Sequence, residues 1–86
     1  MEERLNRPPS GVELNELSGE VFEILAEYTV FPWPVLLAQA GRVGADAQNL
    51  QPEDLLKLGP KLAEGVARFT TPEKGRAVLE RLAKLR

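Results

Sequence analysis

Three glutamates, Glu20, Glu23 and Glu27, stand three and four residues apart, the spacing that gathers side chains on one side of a helix. Two carboxylates so placed can serve as general acid and general base when a desolvated cleft drives their pKa values apart. Their neighbours argue for a solvated face instead. Val21, Phe22, Leu25 and Tyr28, with Ile24 beside them, form the apolar side of the same helix, and the glutamates line the opposite side. Histidine and cysteine are both absent. That removes the commonest general base and metal ligand, together with thiolates and disulfides. A nucleophile would have to be Ser10, Ser18, a threonine, Tyr28 or a lysine, and the two serines stand in turn and cap contexts. No catalytic or metal motif follows from these residues. The expectation is a protein that is not an enzyme and carries no cofactor and no metal.

Anion binding is the next chemistry to weigh. Gly41-Arg42-Val43-Gly44 is a short glycine loop with a basic residue, and GxxG loops clamp nucleic-acid backbone in some RNA-binding domains. Those domains also need a sheet, so the segment reads better as a helix-ending turn with Gly41 as a left-handed cap. Charge gives a stronger signal. The net charge is −2, yet residues 1–56 hold three basic and ten acidic side chains, and residues 57–86 hold eight basic and three acidic. The first part therefore carries −7 and the second +5. Such a division suits intramolecular pairing of an acidic first helix with a basic last helix, or an acidic partner, or a nucleic acid.

Within the basic half, Leu58-Gly59-Pro60-Lys61-Leu62-Ala63-Glu64-Gly65-Val66 resembles the second half of a helix-hairpin-helix motif. The resemblance implies that Gly59 is a turn residue and Pro60 the first residue of a helix whose N–H groups grip DNA phosphate. It also implies that Ala63 and Val66 pack inward and that Lys61 reaches phosphate. It covers nine residues, and where that family carries a proline-glycine pair this chain has Leu56-Lys57. On this reading the candidate nucleic-acid contacts are Lys57, Lys61, Arg68 and Lys74.

A protein partner would use a different stretch. Phe31-Pro32-Trp33-Pro34 holds the only tryptophan between two prolines, and a tryptophan that loses little freedom on binding suits an interface hot spot. Phe31, Trp33, Val35 and Leu36 are the candidate partner-binding residues. The competing reading has Phe31 and Trp33 plugging the core at a helix corner.

These side chains need elements to position them. Ser18 reads as an N-cap for a helix of about three turns ending near Tyr28 or Thr29. The two prolines stop it, and Pro34 opens a short helix over Val35, Leu36, Leu37, Ala38 and Ala40, apolar nearly all round and therefore expected to be buried, either in this chain or against another. Residues 45–49 read as a linker or one further turn. Leu55, Leu58, Leu62, Val66 and Phe69 then recur at three, four, four and three, a helical stripe. Pro52 suits its first turn. Gly59-Pro60 interrupts it, and two readings stay open, a kinked helix or two helices. Thr71 caps a last helix beginning at Pro72, with Val78, Leu79, Leu82 and Leu85 on one arc.

The sequence thus predicts an all-α fold, a small single-domain bundle of four or five short helices with a Gly-Pro break in the central one. Residues 1–10 read as a flexible arm and 11–86 as the helical domain. The expected core is Phe22, Leu25, Leu36, Leu37, Leu55, Leu58, Leu62, Val66, Phe69, Val78 and Leu82. No apolar run approaches the roughly 18 residues of a membrane span, and the N-terminus lacks the apolar stretch of a signal peptide, so a cytoplasmic protein is expected. The function expected is protein–protein interaction, as an adaptor, assembly factor or regulatory subunit, with another protein or a second copy as partner. The alternative is sequence-nonspecific DNA binding.

Overall fold

The structure, a computed structural model, describes residues 11–85. The expected arm at residues 1–10 and the terminal Arg86 lie outside the described residues. Among the described residues four α-helices follow one another, α1 Glu16–Tyr28, α2 Pro32–Arg42, α3 Asp54–Phe69 and α4 Pro72–Ala83. The fold is all-helical, with no strand among the described residues. Each helix packs on two others. α1 lies against α2 and α4, and α3 lies against the same two, so the order around the bundle is α1, α2, α3, α4.

The cap of α1 differs from the one expected. Asn15 is the N-cap, its side-chain oxygen accepting from the Ser18 N–H at 2.8 Å. Ser18 is inside the helix and fully buried. Its hydroxyl accepts from the Leu50 N–H at 2.9 Å. The Asn15 amide also donates to the Leu50 carbonyl at 2.8 Å and to Asn49 Oδ1 at 2.9 Å. One end of α1 is therefore stitched to the segment between α2 and α3. Residues 45–49 include a turn, and Ala47 within them and Leu50 just after them are buried in the core.

α2 begins earlier than expected. Pro32 takes its first position and Pro34 lies still within its first turn, where neither missing N–H costs an intrahelical bond. Pro32, Trp33, Val35, Leu36 and Ala40 face inward, while Leu37 is 51% exposed. Within this chain the helix is covered on one side only, and Leu37 leaves the expected core. The left-handed cap of α2 is Gly44 rather than Gly41. Gly44 has φ +75°, its N–H donates to the Gly41 carbonyl at 3.3 Å, and the Ala45 N–H donates to the Ala40 carbonyl at 2.8 Å. This paired arrangement is the Schellman ending, whose left-handed residue glycine adopts without strain.

α3 continues through Gly59 and Pro60. Pro60 is exposed and so is Leu56, whose carbonyl loses its helical donor. Water can reach that side of the helix, so the break in hydrogen bonding falls where it costs least. The stripe Leu55, Leu58, Leu62 and Val66 is buried, but Phe69 is 66% exposed. Phe69 therefore leaves the expected core. α3 and α4 form a hairpin joined by Thr70 and Thr71, and the Thr71 hydroxyl accepts from the Lys74 N–H at 3.2 Å. A side chain at Gly75 would place its Cβ 2.5 Å from the Ala63 carbonyl oxygen and 2.8 Å from Ala67 Cβ. Only glycine allows the two helices to approach this closely. Val78 and Leu82 point into the core, while Leu79 is exposed.

Candidate functional site

The residues proposed from sequence divide sharply by burial. Trp33 is 8% exposed, Val35 is buried and Leu36 is fully buried. All three belong to the chain's own core, where they complete the inner face of α2 at the spacing of a helix stripe. Trp33→Ala and Leu36→Glu would therefore report on folding. Phe31 alone of the four stands outside, 41% exposed, because it is the N-cap residue of α2 and precedes the helix face that packs.

Phe31 does not stand alone. The corner between α1 and α2 also exposes Val30, at 65%. Phe69, at the end of α3, joins them. Val30, Phe31, Phe69, Tyr28 and Lys74 line one surface hollow of about 330 Å3. The backbone of this corner is fixed from below. The Thr29 N–H donates to the Leu25 carbonyl at 2.9 Å, and the Phe31 N–H donates to the Thr29 hydroxyl at 3.2 Å. Thr70, on the opposite rim, is held in the same way by its hydroxyl donating to the Val66 carbonyl at 2.6 Å. Two chain corners separated by some forty residues thus present large apolar side chains from anchored backbones. Sequence reasoning picked Phe31 for this reason of composition and missed Val30 and Phe69. The available signal for Phe69 was its place at the last turn of the longest helix.

A second hollow, of about 170 Å3, lies on the other side of Phe69, between α2 and α3. Gln39, Arg42, Glu64, Gly65 and Arg68 line it with Phe69. Gly65 makes room here, since a Cβ at this position would lie 3.2 Å from Gln39 Nε2. The Gln39 side-chain oxygen is buried and accepts no hydrogen bond from the described residues.

The four basic candidates are all exposed. Lys57, Lys61 and Arg68 share the outward side of α3, and Lys74 lies in the first turn of α4 beside the larger hollow. Lys61 is within 3.9 Å of Glu64. The turn expected at Gly59 is absent, because Gly59 and Pro60 sit in mid-helix. The free N–H groups with which a helix-hairpin-helix grips phosphate are accordingly not presented there.

Glu20 and Glu23 are exposed on α1. Glu27 meets Arg81 of α4 in a two-pronged contact of 2.5 and 3.2 Å. The hydrogen bonds from that guanidinium hold the Glu27 carboxyl below its ordinary value of 4.5. A general acid needs the opposite shift. Among the described residues no group of histidine, cysteine, aspartate or glutamate side chains is arranged to hold a metal ion, and no helix is long and apolar enough to cross a membrane. No protein-family model matches the chain at a significant level, and neither does any curated protein or solved structure.

Proposed function

We propose that this is a non-enzymatic protein–protein interaction module of the cytoplasm, an adaptor, assembly factor or regulatory subunit, and that it docks its partner at the hollow between Val30, Phe31 and Phe69. The observation that carries this reading is the exposure of these three side chains, 65, 41 and 66%, around one concavity. Scattered exposed apolar side chains need no explanation, but a cluster that lines a hollow is the usual mark of a contact surface. Phenylalanine has two side-chain torsions to fix on binding and a large area to bury, which suits an anchor. The partner is another protein or a second copy of this chain.

The test is light scattering on the full chain at low and high salt, alone and with a short random DNA duplex, for the wild type and a Phe31→Ser, Phe69→Ser double variant. Both positions are exposed, so the variant should melt within about 0.5 kcal/mol of the wild type. Self-association, or a stable complex with a co-purifying protein, that the double variant loses supports the reading. A monomer that binds the duplex at low salt and releases it at high salt overturns it in favour of nucleic-acid binding through Lys57, Lys61, Arg68 and Lys74.

A further inference from the structure

Phe69 is the wall between the two hollows, and the smaller one has a composition that the apolar anchor does not explain. Resting on the docking reading above, we infer that the partner segment is acidic as well as apolar. Its large apolar side chain fills the hollow at Val30, Phe31 and Phe69, and a carboxylate beside it enters the hollow between Arg42 and Arg68.

Two observations converge on this. The first concerns charge. Arg42 and Arg68 line the smaller hollow and Lys74 lines the larger, and none of the three has a carboxylate within 4.0 Å among the described residues. The two carboxylates that line the hollows are both engaged, Glu27 by Arg81 and Glu64 by Lys61. The hollows therefore present unmatched positive charge around an apolar wall, in a chain whose overall charge is −2. Two guanidinium groups on one concavity favour an anion, and a carboxylate is the anion whose planar shape their forked donors fit.

The charged hollow adjoins an apolar one that a peptide side chain can fill, which favours a peptide over a phosphodiester backbone. The second is size. The charged hollow has about half the volume of the apolar one, so it receives the smaller group.

The experiment titrates the full chain, labelled with 15N, with an acetylated and amidated octapeptide of two Leu-Phe-Asp-Glu repeats, then with its Leu-Phe-Asn-Gln counterpart, and separately with a short DNA duplex. The acidic peptide should shift amide signals of residues 28–31, 39–42 and 68–70 and bind about threefold to tenfold more tightly than the neutral one. Arg42→Gln with Arg68→Gln should abolish that preference and leave the binding of the neutral peptide unchanged. Equal binding of both peptides overturns the acidic assignment and leaves the docking hollow standing. Failure of both to shift residues 28–31 overturns the docking reading as well. Saturable, salt-sensitive binding of the duplex at Arg42 and Arg68 overturns the peptide in favour of nucleic acid.

Discussion

At the scale of single residues, Ser18 shows how a small hydroxyl can hold two distant parts of the chain. Its oxygen is the acceptor for the buried Leu50 N–H, so Ser18→Ala leaves that donor without a partner. The expected loss is about 1–3 kcal/mol, the cost of an unsatisfied buried group, measured by urea denaturation with unchanged helical circular dichroism. Ser18 was singled out in the sequence, but for a different role. A serine ahead of an apolar helical run satisfies every local criterion of a cap, and Asn15, three residues earlier, satisfies them too. What separates them is a hydrogen bond to a residue 32 positions away, which no local pattern contains. The same limit explains the partner-binding candidates. Composition flagged Phe31 and Trp33 equally, because both are aromatic and flanked by proline. Only the start of α2 at Pro32 decides that Trp33 turns inward and Phe31 stays outside.

At the scale of elements, periodicity was the most informative signal. The stripe from Leu55 to Val66, the end of α1 at Tyr28 and the Thr71-Pro72 start of α4 were all legible, since each depends on neighbours within one helical turn. Phe69 kept the phase of the stripe yet left the core. Phe69 is the last residue of α3, where the chain turns through Thr70 and Thr71 into α4, and its side chain lines both hollows there. The close contact of α3 with α4 was not legible, because a glycine in a helix could equally be a tolerated weakness. Gly75→Ala tests the difference. An alanine at an exposed helical site would stabilise by about 1 kcal/mol. Here its Cβ would meet the Ala63 carbonyl oxygen and Ala67, so a loss of about 1–3 kcal/mol is expected, checked by thermal melting.

At the scale of the whole molecule, the division of charge is used partly inside the fold. Acidic α1 lies against basic α4, and Glu27 with Arg81 is the described ion pair that joins them. Glu27 has its carboxyl held down in the folded state. Its contribution to stability is therefore present above about pH 4.5 and disappears as the pH falls through the lowered folded value. Arg81 shifts upward and stays charged across the working range. Glu27→Gln should consequently lower the melting temperature at about pH 7 by a margin that shrinks as the pH falls below about 4.5. Parallel curves with a constant offset across that pH range would show that the pair contributes through packing instead of charge. Most of the remaining acidic and basic side chains stay on the surface. There they are available to steer a charged partner, an effect that salt should weaken.

The uneven distances that these contacts span in the chain also bear on how the protein reaches its structure. The approach at Gly75 joins helices connected by two residues, so it closes a short loop. The stitch from Asn15 and Ser18 to Leu50 closes one of more than thirty. Short closures cost less chain entropy and come first. The α3–α4 hairpin should then form the folding nucleus, and the N-terminal stitch should lock late. In stopped-flow kinetics Gly75→Ala should mainly slow refolding, whereas Ser18→Ala should mainly speed unfolding. The reverse assignment would mean that α1 and the 45–53 segment assemble before the hairpin does.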